Sequence, residues 1–461
     1  MEEKFDLVIV GGGPGGYVAA IRAAQLGLKV ALVESQHLGG ICLNWGCIPT
    51  KALLKTAEVL NQIKHAEEFG ICVDRSGFDM EKVVQRSRDV SAKLSSGIAH
   101  LVKKNQIKLF TDKAKIVEQG KIELVATKQI VQYKNLILAT GARARVIEGF
   151  EPDSKVVVTY RDAMIQKKLP KKLLVVGSGA IGAEFASFYN SLGSEVTLIE
   201  AMDKILPVED HEISIIAQKN FEKDGIKIFT SASLKKIDKK KDGAEAQFEV
   251  NGKLHKDNFD LVIMAVGIVG NTEDLGLEKT KVKVEKTHII TNGFLATDEP
   301  GIYAIGDVAG APWLAHKASH EAIICVEHIA GKKVKPINKD NIPGCTYSHP
   351  QIASIGITEQ KAKTLGLKVK IGRFPFAANG KAISLGDCEG MIKTIFDEKT
   401  GELLGAHLIG PEVTELIAVF SLGKSLEALD EDYLHAIFAH PTLSEAIGES
   451  VLSAMGRAIH V

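Results

Sequence analysis

The sequence predicts an α/β protein in which two dinucleotide-binding units are followed by an α+β layer domain. Three observations carry that prediction. A turn of the form Gly11-x-Gly13-x-x-Gly16 lies between an apolar run and an Ala-rich helical pattern. The whole unit then returns, because Gly177, Gly193 and Glu200 each stand 166 residues after Gly11, Gly27 and Glu34. From about Asn341 the pattern changes to short strand-like segments with helices after them and no further glycine fingerprint.

Taken in order, Phe5 to Val10 reads as a buried parallel strand. Gly11 makes the turn, Gly13 lets backbone approach a pyrophosphate, and Gly16 lets the helix pack on the strand. The phosphates would rest on the helix N-terminus. A second strand, Val30 to Val33, ends in Glu34, placed to accept the ribose hydroxyls. Both units are therefore Rossmann-like. The second has Lys172 to Val176 as strand, Gly177-x-Gly179-x-x-Gly182 as turn, and Val196 to Ile199 ending in Glu200. An acid there disfavours a 2′-phosphate and points to NAD rather than NADP. Asn135 to Ala142, closing at Gly141, and Leu261 to Gly267 read as matching strands that return the chain from one half to the other. Lys235 to Asp242 is a charge run, read as a solvated hairpin tip because no aromatic residue is interleaved.

Between Glu34 and the next long helical pattern lies Gly40-Ile41-Cys42-Leu43-Asn44-Trp45-Gly46-Cys47-Ile48-Pro49-Thr50-Lys51. Residues five apart do not face one another on an ordinary helix, so a Cys42–Cys47 disulfide needs a distorted first turn. Two buried thiols are the bland reading of the pair. A redox pair beside a cofactor is the sharper one, since helix N-termini favour thiolate. A zinc half-site lacks further ligands, because Cys72, Cys325, Cys345 and Cys388 are scattered singly, and no metal site is expected. Further on, Gly306-Asp307 closes a short strand after Pro300-Gly301, where Asp307 can reach a sugar-like hydroxyl or cap the helix that follows. Near the end, His440 precedes Pro441, and Glu445 follows five positions later. A carboxylate on the ring would fix its tautomer and raise its basicity, although a lone His near a Pro is more often an ordinary surface residue.

Composition narrows the function classes. Lys+Arg and Asp+Glu balance at 57 each, so no global field argues for nucleic acid or a membrane surface. Six cysteines in 461 residues do not make a secreted disulfide framework. No signal-peptide core precedes the first strand, and the longest apolar run, near Leu261 to Val269, is too short for a bilayer. The expected home is the cytoplasm, or an organelle matrix if a transit peptide has been removed.

Taken together, Gly11 to Gly16, Gly39 to Lys51, Gly177 to Ala186, Thr297 to Asp307, Leu314 to Ala318 and His440 to Glu445 resemble, in content and order, the flavin-dependent pyridine nucleotide–disulfide oxidoreductases. Within that family the chain is most similar to the members that oxidise protein-bound dihydrolipoamide. The resemblance implies FAD on the first unit, NAD on the second, and a C-terminal dimerisation domain. It divides the chain at 1–143 and 268–340 for FAD, 144–267 for NAD, and 341–461 for the interface. Cys42 is then the outer interchange thiol and Cys47 the thiol against the flavin. Lys51 lies near the flavin N5, paired with Glu184. Asp307 holds the ribityl chain, the helix starting near Ala315 faces the flavin N1 and O2, and Ala114 touches FAD through its backbone. His440, backed by Glu445, comes from the partner subunit, so a homodimer with shared sites is implied, as are lipoyl domains and the core of a 2-oxo acid dehydrogenase complex. A glycine cleavage system is another implied setting. One departure stands out: the family usually closes the NAD unit with Gly-Arg-x-Pro-Asn, where this chain has Gly267-Ile268-Val269-Gly270-Asn271. The alternatives are a glutathione-reductase-like enzyme, which would want basic residues near Glu200, and a flavoprotein acting mainly as a docking module.

Overall fold

A computed structural model describes residues 3–74 and 77–461. The chain forms two compact units, one of Met1–Ala52, Glu81–Arg145 and Gly267–Asn338, the other of Leu53–Met80, Val146–Val266 and Lys339–Val461. Among the described residues, no helix is long and apolar enough to cross a membrane.

The first unit is organised on a seven-stranded sheet. Its centre is the strand Glu3–Val10, parallel to Val30–Val33 on one side and to Ile130–Leu138 on the other. Leu7, Val8, Ile9, Ala31 and Leu32 are fully buried, which is why these strands read as apolar runs rather than alternations. Each such Val, Leu or Ile contributes roughly 1.5–3 kcal/mol of burial free energy. Val10 pairs with Val33 and with Leu138, and Leu138 pairs with Ala304 of the strand Ile302–Ala304. Four strands therefore end level, and the crevice outside such ends is where open α/β sheets bind ligands. The helix Pro14–Gln25 follows the first strand; Ala19, Ala20 and Ala23 are small enough to be fully buried beneath it. The expected return strands each join their own sheet, Ile130–Leu138 beside Glu3–Val10 and Leu261–Met264 beside Lys172–Val176, and the short strands that follow them pair with each other, Ala142–Ala144 antiparallel to Ile268–Gly270.

The departure in the crossover has a local reason. A Cβ on Gly270 would sit 2.2 Å from the Thr287 carbonyl oxygen, so this backbone has no room for proline there. An arginine still serves the turn, from the facing strand: Arg143 donates to Asn271 Oδ1 at 3.0 Å and pairs with Glu273 at 2.7 Å.

In the second unit, five parallel strands run in the order Lys227–Phe229, Glu195–Ile199, Lys172–Val176, Leu261–Met264, Val157–Val158. A three-stranded antiparallel sheet, Ala232–Lys240, Gly243–Val250 and Lys253–Phe259, takes up the charge run. Most of that run is strand rather than hairpin tip, and only residues 241–242 form the turn. The C-terminal segment is an antiparallel five-stranded sheet in the order Gly344–Thr346, Gln351–Gly356, Leu403–Gly410, Met391–Asp397, Val369–Pro375. The helix Glu445–Ala454 lies on it at close range. A Cβ on Gly372 would come within 1.7 Å of the Ser450 carbonyl oxygen, so only glycine admits the helix there.

A buried charge cluster ties this segment to the helix His211–Lys223. Lys393, with no exposed side-chain surface, meets Asp210 at 2.9 Å, Glu212 at 2.8 Å and Glu359 at 2.7 Å. Burial works against ionisation of Asp210, but the Lys393 hydrogen bond, His407 and the Glu359 N–H outweigh it and hold the carboxyl below its usual range.

Candidate active site

The cysteine segment begins against the first glycine turn. Gly39 N–H donates to Gly12 O at 2.8 Å, and a Cβ on Gly40 would lie 2.7 Å from Gly13 Cα. Gly39 and Gly40 take φ of 88° and 57°, the left-handed region, to start the helix Gly40–Trp45. That helix stops at Gly46 (φ −149°, ψ −115°), and a new one, Cys47–Lys64, starts at once. The break brings the two thiols together: Cys42 is hydrogen-bonded to Cys47. The distortion that spacing alone demanded is thus a helix break at Gly46. Thr50 satisfies the carbonyl freed there, its N–H at 3.1 Å and its Oγ1 at 2.6 Å from Gly46 O.

Cys42 is half-buried and Cys47 exposed. The hydrogen bond to Cys47, then burial, then the charge of Cys47 push the Cys42 thiol far up; Lys51 opposes this and Asp307 adds to it. Cys47, at N1 of its helix and with no acid in the first turn, sits where the helix dipole favours a negative sulfur.

The long helix Met80–Lys104 braces the segment. Arg88 donates to Asn44 O at 2.6 Å and lies 4.9 Å over the Trp45 ring. Ser95 Oγ donates to Asn44 Oδ1, Asn44 Nδ2 donates to Leu38 O and Gly40 O, and Ser87 Oγ donates to Pro49 O. Sequence reasoning missed Asn44, Ser87, Arg88 and Ser95.

The two glycine turns are near copies. Gly11 and Gly177 take φ of 106° and 97°, and a Cβ on either would collide with the carbonyl of the return strand, Ala139 O at 2.2 Å and Ala265 O at 2.4 Å. A Cβ on Gly16 or Gly182 would lie 1.8 or 1.9 Å from the oxygen of Gly11 or Gly177. Nothing crowds Gly179, and only Gly40 Cα lies near Gly13. Each second-strand acid folds back onto its own turn. Glu34 accepts from Gly12 N at 2.7 Å and Gln36 N at 2.6 Å. Glu200 accepts from Ser178 N at 2.8 Å, Ser178 Oγ at 2.6 Å and Met202 N at 2.9 Å. Both helix N-termini, at Gly13 and Gly179, lack a side-chain cap and a first-turn acid. Bare N–H groups behind a glycine cradle suit the pyrophosphate of a dinucleotide in each unit.

Asp307 lies in the turn Gly306–Ala309, and burial raises its carboxyl despite the nearby Lys317 charge. A buried ion pair holds that turn. Lys317 Nζ donates to Gly306 O at 3.2 Å and Gly310 O at 2.9 Å and meets Glu321 at 3.0 Å; Glu321 in turn accepts from Gly306 N at 2.8 Å. Lys317 and Glu321 were also missed, although an i,i+4 Lys–Glu pair inside an apolar helix pattern was a readable signal. Their helix, Ala315–Ile329, starts at Leu314 and Ala315 with no side-chain cap and no acid in its first turn.

His440 Nδ1 is 2.9 Å from Glu445 Oε1, and Glu445 Oε2 accepts from Thr442 N at 2.8 Å. The Thr442 N–H is the largest influence and, together with the His440 hydrogen bond and charge, holds Glu445 below the usual carboxylate range against the opposing effect of burial. The His440–Pro441 bond is cis, and the imidazole is 79% exposed, leaving Nε2 accessible. This pair lies in the second unit, the cysteines in the first.

The remaining expected residues have these places. Lys51 is in the first turns of the helix that Cys47 opens. Glu184 is buried in the helix Ala180–Leu192 and accepts from Tyr347 N at 3.0 Å. Ala114 starts an edge strand, Ala114–Glu118, with two strands between it and the central one. Gly141 and Gly267 take φ of 70° and 100° at the two crossovers, accepting from Asn271 N and Arg145 N.

Known proteins match the chain along most of its length. The family model described as pyridine nucleotide-disulphide oxidoreductase matches residues 5–322, and that family's dimerisation domain matches 342–451. The chain is similar over its full length, and over the full length of each relative, to proteins named dihydrolipoyl dehydrogenase from Rhizobium etli (52% identity), Zymomonas mobilis (49%) and Bacillus subtilis (43%). Among solved structures, LpdA of Mycobacterium tuberculosis matches in fold with a TM-score of 0.90 at 24% identity, over 97% of this chain and 99% of that one.

Proposed function

This chain belongs to the pyridine nucleotide-disulphide oxidoreductase family, and we infer that within it the chain is a dihydrolipoyl dehydrogenase, oxidising dihydrolipoamide to lipoamide with reduction of NAD to NADH. The observation that carries this reading is the Cys42–Cys47 contact at a helix break laid against the first glycine turn. We assign FAD to 1–143 with 268–340, NAD to 144–267, and dimer formation to 341–461. Gly11, Gly13, Gly16, Glu34 and Asp307, with backbone help from Ala114, Gly141 and Ala315, would hold FAD, which would supply a two-electron acceptor between the dithiol and NAD. NAD is held by Gly177, Gly179, Gly182, Glu184, Glu200 and Gly267. Lys51 places a positive charge beside the redox centre and opposes the upward pull on Cys42.

The protein's own residues handle the protons and sulfur exchange. The partner subunit's His440 accepts the proton of a substrate S–H at Nε2, and a Glu445 carboxylate on Nδ1 fixes that tautomer and stabilises the cation. The substrate thiolate attacks Cys42 of the oxidised pair, the Cys42–Cys47 bond breaks, and Cys47 leaves as thiolate. The second substrate sulfur then attacks the mixed disulfide and closes lipoamide. Cys42 leaves as thiolate and takes up a proton. The electron pair rests on Cys47, the sulfur at the helix N-terminus.

Because one chain's thiols serve with the other chain's histidine, the reading requires a homodimer, and the substrate is carried on lipoyl domains docked to a 2-oxo acid dehydrogenase core. Mixing His440→Ala and Cys42→Ser homodimers under subunit exchange tests the shared site. Restored NADH formation from dihydrolipoamide is expected. Verified hybrids with no activity would overturn it.

A further inference from the structure

Two helices carry the dithiol, and one long helix holds both. Cys42 lies on Gly40–Trp45, Cys47 opens Cys47–Lys64, and Gly46 breaks the helical path between them. The helix Met80–Lys104 meets each of the two. Ser87 Oγ donates to Pro49 O at 3.0 Å and an Arg86 N–H to Ala52 O at 2.9 Å, which fixes the start of the Cys47 helix. Arg88 donates to Asn44 O at 2.6 Å and Ser95 Oγ to Asn44 Oδ1 at 3.0 Å, which fixes the Cys42 helix. Arg88 and Ser95 stand two turns apart on one face of the long helix.

The Cys42 helix is too short to hold its own shape. It has 6 residues, where an isolated helix needs about 12–15, and its N-cap Gly39 offers no side-chain bond. Asn44 supplies what is lacking. Its Nδ2 donates to Gly40 O at 2.9 Å and to Leu38 O at 3.0 Å, so the last turn is tied to the first residue of the helix and to the chain ahead of it. Asn44, Ser95 and Arg88 all belong to the first unit, with both cysteines.

We propose that Asn44 and Ser95 are positioning residues that set the thiol–disulfide equilibrium of the Cys42–Cys47 pair. The inference rests on the redox role assigned to that pair above. When the pair closes, two S–H bonds break and one S–S bond forms, and an external disulfide takes the two electrons and two protons to become a dithiol. The extent of closure depends on the effective concentration of one sulfur at the other. In the closed pair the S–S bond itself holds the two helices in register. In the open pair that task falls to the long helix, acting through Asn44. Loosening Asn44 lets the dithiol spread over more arrangements and so disfavours the disulfide.

The test is an anaerobic titration of the FAD-loaded protein, without NAD, in buffers of dithiothreitol and its cyclic disulfide. Acid quenching, alkylation and mass spectrometry then count the free thiols at Cys42 and Cys47. Asn44→Leu removes all three side-chain bonds and no charge, so thiolate electrostatics stay as they were. Its disulfide should be disfavoured by about tenfold, the size of one to two neutral hydrogen bonds, which raises the midpoint potential of a two-electron couple by about 30 mV. Ser95→Ala should move it the same way by about threefold, and Ser95→Thr, which keeps the hydroxyl, should match wild type. A purely structural role would lower stability in urea and leave the midpoint where it was. A wild-type midpoint in Ser95→Ala, or in a folded Asn44→Leu, overturns the inference. A wild-type protein whose two cysteines stay unpaired at every buffer ratio overturns the redox role itself, so the two failures are distinct.

Discussion

Replacing Glu321 by glutamine tests whether the buried ion pair holds the Asp307 turn. In the folded protein Lys317 and Glu321 keep 1% and 3% of their side-chain surfaces exposed. Glu321→Gln preserves the shape and an acceptor for Gly306 N, but leaves the Lys317 ammonium with only the Gly306 and Gly310 carbonyls. Breaking a buried pair by removing one charge costs about 3–5 kcal/mol, whereas removing both charges is often close to neutral. The single variant should therefore lose about that much stability, and Lys317→Met/Glu321→Gln should recover much of it. Because the pair fixes the turn that carries Asp307, flavin retention should fall with it, by tenfold for each roughly 1.4 kcal/mol transmitted to binding. Urea unfolding followed by protein and flavin fluorescence reads both quantities. A single variant within about 0.5 kcal/mol of wild type that retains its flavin would refute the clamp. So would a double variant as unstable as the summed singles.

Three further outcomes follow from the same geometry. Glu200→Arg removes an acid that caps Ser178 and should move the NADH/NADPH preference toward NADPH by tenfold or more, on the order of one charge contact; an unchanged ratio of kcat/KM values would place Glu200 away from the ribose. Glu445→Gln should lower dihydrolipoamide turnover by roughly 10- to 100-fold, part of what general base catalysis contributes, while NADH-driven reduction of dichlorophenolindophenol stays intact; equal loss in both assays would point to misfolding. Lys393→Met should destabilise by about 3–5 kcal/mol, because it strips Asp210 of its cation and leaves Glu212 and Glu359 only Arg373 and Lys363. Those three carboxyls are held below their ordinary values, so their stabilisation is present above the unfolded carboxylate range near pH 4 and is lost as pH falls through the lowered values. Acid unfolding curves that coincide for wild type and variant would contradict that assignment.

The parts legible in the sequence were those set by local geometry. Gly11 and Gly177 were readable because a left-handed turn under a return strand admits no side chain, and Glu34 and Glu200 because a strand of fixed length ends there. The central strands were readable because burial on both faces leaves no alternation to break the run. What escaped was long-range. Arg88 is 44 residues from the Asn44 carbonyl it serves, and Ser87 is 38 from Pro49. Nothing local distinguishes them from an exposed arginine and serine on an amphipathic helix. Spacing showed that Cys42 and Cys47 needed a distortion but not where it lay, since Gly46 announces only that a side chain is absent. The charge run at Lys235–Asp242 was assigned to a tip, but paired strands tolerate charge on a solvated face.

The central claim is that the Cys42–Cys47 pair passes a dithiol's electrons through flavin to NAD. Anaerobic titration of the purified protein, loaded with FAD, with dihydrolipoamide followed by NAD tests it most directly. The account predicts a long-wavelength absorbance band on adding dihydrolipoamide, absent in Cys47→Ser, and its discharge by NAD with NADH formed. A flavin that responds to NADH or NADPH but stays oxidised with excess dihydrolipoamide would contradict it.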